Sequence, residues 1–222
     1  MFEEVAEGVY TTHRPQRFWG LETGTRMNVV RMKAGGLFVH CPVELDDATR
    51  RAVAELGEVR AIVASSLFHH LYVGQWMDAF PDALACGCPG LDRKRPDLGF
   101  DRIIGDDVPD EWRGELEQVF FSSRFEREVV FFHPRTRTLL TADAMLNLSE
   151  HPSLVTRACA FAMGNTAPGK GYLEYVAVRH YPIARRQVDR ILEWDIDRVV
   201  LAHGGLVYRD GREVLREAYA WL

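Results

Sequence analysis

No stretch of the 222 residues is apolar for the roughly 20 positions that a membrane-spanning helix takes, so no such helix is expected. The opening Met-Phe-Glu-Glu-Val-Ala-Glu is acidic and lacks the basic, apolar and small-residue order of a signal peptide. Cysteine is scarce. Cys41, Cys86, Cys88 and Cys159 cannot build a dense disulfide scaffold, and in a reducing compartment they are expected as thiols. Cys86-Gly-Cys88 lacks the second cysteine pair of a zinc ribbon. Excess positive charge is missing too. A net charge of -5 argues against nucleic acid as the main partner, because phosphate binding draws on a basic face. Repeats, low-complexity tracts and charged tails are absent. What remains reads as a cytoplasmic globular protein, one domain over residues 1–222, away from membranes and directed at a small molecule. Its oligomeric state is not legible.

The chain is rich in short apolar runs. Residues 5–12 read as a strand. Met27–Met32 and Leu37–Cys41 flank Gly35-Gly36 as a hairpin. Asp46-Asp47 opens a helix over Ala48–Leu56, which Gly57 stops. Val59–Ala64 is a strand, and 72–80 a short helix ended by Pro81. Phe100–Ile104 and Val119–Phe121 read as short strands around an irregular middle. Glu128–Phe132 and Thr138–Ala142 form a second hairpin. Ser153–Ala162, Ile183–Trp194 and Arg212–Leu222 read as helices, Arg198–Ala202 as a strand and Leu206–Tyr208 as a short one. Strands and helices do not alternate strictly, which excludes a doubly wound sheet or a (β/α) barrel. The expected fold is α/β (α+β), a four-layer αββα sandwich of two mixed β-sheets with helices outside.

Three of the apolar runs stop at residues that can bind a metal. Arg60–Ser66 leads into His69-His70, Thr138–Ala142 stops at Asp143, and Arg198–Ala202 stops at His203. A strand's carboxyl end sits where loops converge and pockets form. On a strand-to-helix turn His69 and His70 can face one ion, or one of them can be a surface or hydrogen-bonded residue. Asp143 can serve an ion or cap the segment that follows. His203, before Gly204-Gly205, can be a ligand or a partner of a loop carbonyl. A His, His, Asp, His set has the donor types of a zinc or non-haem iron site.

At this point the residues resemble the metallo-β-lactamase fold superfamily, in a divergent branch. Arg190 to His203-Gly-Gly and Tyr208 to Leu215 are similar to its closing helix, strand, Gly-His-Gly loop and last helix. Leu139-Leu-Thr-Ala-Asp143 is similar to its strand with the metal-bridging Asp, and Arg60–Gln75 falls where the family keeps His-x-His-x-Asp-His. The match is degraded. With His70 on the last His of that motif, His69 takes the Asp position and Ser65 and Leu67 replace the first two His. A further family His falls near Ser123-Arg124, where none stands. The resemblance therefore implies at most one metal, at the second position, held by His69, His70, Asp143 and His203. Zinc comes first, then iron, with no metal as the remaining case.

The implied activity is a single-metal hydrolase of an ester, thioester or phosphoester, with His69 and Asp143 catalytic. His69 is the looser ligand in that scheme and the general base. The alternative is a metal-free, non-catalytic relative that binds a small ligand or a protein partner. A di-iron redox role needs both metals and is not expected. Trp19, in Phe18-Trp19-Gly20, is a candidate lip over the site, and Arg95, in the basic run Arg93-Lys94-Arg95, a candidate for an anionic substrate. Glu126 and Glu128 can replace a missing ligand or simply belong to a hairpin face. His133 is expected to face solvent, while His13, His40, His151 and His180 have no identifiable partner.

Overall fold

The structure is a computed structural model that describes residues 1–122, 127–169 and 180–222. The first expected strand is two, Glu3–Ala6 (β1) and Val9–Arg14 (β2), because the chain turns at Glu7-Gly8 and pairs back on itself. Arg17–Phe18 (β3) and Leu21–Glu22 (β4) make a small separate hairpin. Thr25–Arg31 (β5) and Leu37–His40 (β6) form the hairpin around Gly35-Gly36.

Asp47–Leu56 (α1) starts at Asp46, whose side chain accepts the Thr49 N–H at 2.6 Å, and ends at Gly57. Val59–Ala64 (β7), Val73–Ala79 (α2), Leu84–Gly87 (β8), Leu91–Lys94 (α3) and Arg102–Ile103 (β9) follow. Leu84-Ala-Cys-Gly has no β-branched residue to announce a strand. It becomes one because the open side of β7 offers a parallel partner.

The order β1-β2-β5-β6-β7-β8-β9 makes a seven-stranded mixed sheet. Glu117–Ser122 (β10), Arg127–His133 (β11), Thr138–Thr141 (β12) and Arg198–Leu201 (β13) make a second, with β12 and β13 parallel. The remaining described α-helices are Leu154–Ala162 (α4), Tyr181–Leu192 (α5) and Gly211–Ala218 (α6). α5 begins earlier than its apolar spacing suggests because Pro182 suits a first helical turn. It ends before Trp194, which leaves the helix to stack on Phe132 at 5.2 Å. Leu206–Tyr208 is not a strand; only Val207 pairs, with Val199.

Alternation along the second sheet sorts its side chains into two layers. Val129, Phe131, Leu140 and Val200 face the first sheet and join Val30, Phe38, Ala61 and Val63 there. Val130, Phe132, Leu139, Val199 and Leu201 face outward onto Val188 and Ile191 of α5 and Leu215 of α6. On the far side of the first sheet, Val53 of α1 and Trp76 of α2 belong to the main core. The order is helix, sheet, sheet, helix, the four-layer sandwich expected from the hairpins and the order of elements.

Candidate metal centre

The carboxyl ends of β7, β12 and β13 meet at one edge of the sandwich. β12 and β13 run in parallel register, Leu140 opposite Val200 and Thr141 opposite Leu201. Asp143 and His203 therefore leave their strands side by side, each two residues past the last of these pairs. The stretch after β7 crosses to the second sheet. Val129 N–H donates to Ser65 O at 2.8 Å and Leu67 N–H to Arg127 O at 3.2 Å, with Ser66 bridged to Glu128 between them. This seam carries His69 over Asp143 and His203.

Three donor atoms converge. His69 Nε2 lies 3.1 Å from His203 Nε2 and 3.3 Å from Asp143 Oδ1, and His203 Nε2 lies 3.4 Å from the same oxygen. Metal–ligand bonds of about 2.0–2.1 Å in a tetrahedron put neighbouring donors about 3.4 Å apart. The triangle has the size of one face of a zinc shell. No other His, Cys, Asp or Glu donor joins it among the described residues.

The surrounding hydrogen bonds suit an ion. Gly24 O lies 2.7 Å from His203 Nδ1. A carbonyl can only accept, so Nδ1 carries a proton and Nε2 is the nitrogen that faces the group. Ser66 Oγ donates to Asp143 Oδ2 at 2.8 Å and accepts the N–H groups of Phe68 and His69, leaving Oδ1 of Asp143 as the donor toward the histidines. Burial alone would raise the Asp143 carboxyl. The charge of His69 and the hydrogen bonds of His203 and His69 hold it well below the carboxylate range. Burial works against a charged His203, yet Asp143 and the Gly24 carbonyl raise it above its ordinary value. The residues present thus fit a divalent ion of borderline hardness.

Three of the four expected ligands are together; His70 is not with them. Its Nδ1 accepts a hydrogen bond from Arg95 Nη1 at 3.0 Å. Burial, with the charges of Lys94 and Arg95 beside it, pushes His70 down to about 4, so it is a neutral imidazole. His69 and His70 diverge because the chain after β7 is an irregular turn, and Arg95 fixes one of the two outside the group. Arg95 itself is committed: Nε and Nη2 donate to Asp97 at 2.8 and 2.6 Å, and Nη1 to His70. It orients a histidine where a contact with substrate was expected.

Trp19 sits at the tip of the β3–β4 hairpin and is 88% exposed. It stacks on Phe18 at 4.8 Å, and Phe18 meets the edge of Phe68 at 6.1 Å. Glu128 is buried and binds backbone, not the donor triangle: Oε1 accepts the N–H of Ala142 at 2.6 Å, and Oε2 those of Asp143 and Ala144 at 2.7 Å. Glu126 and the Ser123-Arg124 position lie outside the described residues. His133 is buried, against the expectation of a solvent-facing turn, and shares a 2.7 Å hydrogen bond with Thr136.

His40, which the sequence left without a partner, is fully buried. Its Nδ1 meets Asn28 Nδ2 at 3.1 Å and its Nε2 meets Ser65 Oγ at 2.8 Å. Burial, with His69 nearby, holds it down to about 3. At Ser65, where the resemblance places a ligand His, an imidazole from the adjacent strand thus satisfies the hydroxyl.

The His203 loop is clamped by residues that only its glycines hinted at. Asn147 N–H donates to His203 O at 3.1 Å, and Gly205 N–H to Asn147 O at 3.0 Å. Arg26 Nη1 donates to Leu201 O at 2.7 Å and to Gly204 O at 3.0 Å. A Cβ on Gly204, at φ +89°, would lie 1.7 Å from Asn147 O. Ser66, Gly24, Arg26 and Asn147 carried no signal in the sequence, because their roles arise from backbone atoms far away along the chain.

Residues 6–90 match the model of a family described as "Domain of unknown function (DUF4336)". No curated protein matches the chain in sequence. Solved structures do match in shape. DIM-1 metallo-beta-lactamase superposes with a TM-score of 0.68 at 14% identity, covering 100% of this chain and 97% of its own. The Flv1 flavodiiron core from Synechocystis sp. PCC6803 gives a TM-score of 0.68 at 14% identity, covering 100% of this chain and 60% of its own. The metallo-beta-lactamase FIM-1 from Pseudomonas aeruginosa, in its mono-zinc form, gives a TM-score of 0.62 at 14% identity, covering 100% of this chain and 95% of its own. With two sheets between outer helices and a His, Asp and His group at their shared edge, the chain has the metallo-β-lactamase fold.

Proposed function

We propose that this chain is a hydrolase of a small-molecule ester, thioester or phosphoester that works with one metal ion, zinc before iron. His69, Asp143 and His203 would hold the ion. The observation that carries this reading is the triangle of donors at 3.1, 3.3 and 3.4 Å with no fourth His, Cys, Asp or Glu donor among the described residues. Three protein ligands are the composition of catalytic zinc sites, whereas structural sites close with four. When bound, such an ion polarises a carbonyl or phosphoryl oxygen and lowers the pKa of water.

The chain's own groups do the rest. Ser66 keeps one Asp143 oxygen turned away, so a single oxygen faces the histidines. Gly24 keeps His203 in the tautomer that presents Nε2. Phe18 and Trp19 pack through Phe18 on Phe68, the neighbour of His69, and would give the site an apolar lip suited to the apolar part of a substrate. The mono-zinc form of FIM-1 is a precedent for one ion on this fold.

The competing reading is a metal-free protein that binds a ligand or partner without catalysis. Ser65 and Leu67, at positions where the resemblance places imidazoles, favour it. Elemental analysis of protein purified without an affinity tag separates the two. The first expects about one equivalent of zinc or iron, lost in Asp143→Ala and His203→Ala and kept in His70→Ala. Metal-free protein that stays folded in chelator and gains no stability from zinc supports the second.

A further inference from the structure

The donor triangle draws on both sheets. His69 follows β7 in the first, while Asp143 and His203 follow β12 and β13 in the second. Two sheets packed through apolar side chains can slide by more than a metal shell tolerates. Something at the seam must fix one sheet's end against the other.

Glu128 stands at that seam, with 0% of its surface exposed. Its carboxylate accepts three consecutive backbone N–H groups, those of Ala142, Asp143 and Ala144, at 2.6, 2.7 and 2.7 Å. Hydrogen bonds to an ionised acceptor are the short, strong ones, and consecutive N–H groups form a nest for an anion. The nest is filled from within the protein. Meanwhile the Glu128 backbone bridges antiparallel to Ser66, and the Ser66 hydroxyl donates to Asp143 Oδ2 at 2.8 Å. Asp143 is therefore gripped twice, at its main-chain nitrogen by the Glu128 carboxylate and at its far oxygen by Ser66, the residue that stands opposite Glu128 in the seam. The same hydroxyl accepts the His69 N–H at 3.3 Å, so the residue that delivers the third donor shares the anchor.

We infer that Glu128 is a positioning residue that presets the His69, Asp143 and His203 donors for an ion before it arrives. This rests on the single-ion reading above and deepens it. A carboxylate of this kind does more than stabilise the turn: it sets the metal affinity and the shape of the coordination shell.

The test uses Co(II), whose visible absorption reports coordination, titrated into the full metal-free chain. Glu128→Gln keeps the size and loses the charge. Glu128→Asp keeps the charge and shortens the reach. Both are expected to bind Co(II) at least about tenfold more weakly than the unaltered chain, as loss of outer-shell support does elsewhere, with an altered absorption band. Val188→Ala, in the outer apolar layer of the second sheet, lowers stability and is expected to leave both readouts unchanged. Unaltered Co(II) affinity in a folded Glu128 variant overturns the proposal and leaves the single-ion reading standing. No binding of Co(II) or Zn(II) by the unaltered chain overturns both. Should neither variant fold, amide hydrogen exchange on the unaltered metal-free chain decides. Slow exchange at Ala142, Asp143 and Ala144 supports the anchor, and exchange at the rate of a free loop overturns it.

Discussion

Single side chains decide which imidazoles are available to an ion. His69 and His70 are neighbours in sequence and alike in chemistry, yet Arg95 takes the Nδ1 of one, and Asp143 and His203 face the other. His40 shows the same point in the core, where it is buried between Asn28 and Ser65 and held down to about 3. An unfolded histidine titrates near 6.5, so below that pH the unfolded chain binds a proton that the native His40 refuses. Its contribution to stability is whole above about pH 6.5 and drains away as pH falls toward the folded value of about 3. His70, held to about 4, tilts stability in the same direction over an overlapping range. His40→Gln is expected to be less stable than the unaltered chain at neutral pH. The gap should narrow by about 1.5 kcal/mol between about pH 6.5 and about pH 5, since each group adds at most about 1.4 kcal/mol per pH unit. Urea denaturation of both chains across that range measures it; a constant gap would show that His40 takes up its proton in the native chain as readily as in the unfolded one.

At the scale of elements, strands did the aiming and loops the holding. The ends of β12 and β13 were legible because each apolar run stops abruptly at a polar donor, and parallel pairing then places Asp143 beside His203. The Gly204-Gly205 turn was also legible, though not its reason, which is the approach of Asn147 from another loop. Gly204→Ala must adopt φ +89° and push a methyl group into Asn147 O. Strain at such a backbone position costs about 1–3 kcal/mol by itself, and the collision adds to it, so a loss of about 2–4 kcal/mol with weakened metal binding is expected. Gly35, at φ +94° with nothing within 4 Å of a Cβ, is the control that feels the backbone strain alone. Equal losses in Gly204→Ala and Gly35→Ala, by chemical denaturation, would remove the close packing of the His203 loop from the account. Strand β8 and the β3–β4 hairpin were invisible in the sequence, since Leu-Ala-Cys-Gly and two-residue strands depend on neighbours for their pairing.

For the molecule as a whole, the seam between the sheets would link folding to the proposed ion. His69 lies 74 residues from Asp143 and 134 from His203 in sequence, so the donor set exists only when both sheets are closed. An ion that binds this set binds the native state alone. Zinc at about 100 times its dissociation constant should add about 2.7 kcal/mol, which is a rise of about 5–10 °C in Tm for a chain of this size. A thermal melt in chelator and then in zinc reads it directly, and identical melting curves would sink the single-ion reading. No described helix is long and apolar enough to cross a membrane, in keeping with the composition. By itself the sequence determined the alternation that sorts each strand into an inner and an outer face, the layer order that follows, and the donor types at three strand ends. These are local properties, carried by neighbouring residues and the periodicity of a strand. Only the tertiary structure decided that His69 joins the group and His70 does not, that Glu128 anchors and does not ligate, and that His40 lies buried against Ser65. Each of those turns on a hydrogen bond between segments far apart along the chain, and such bonds leave no mark on the order of residues.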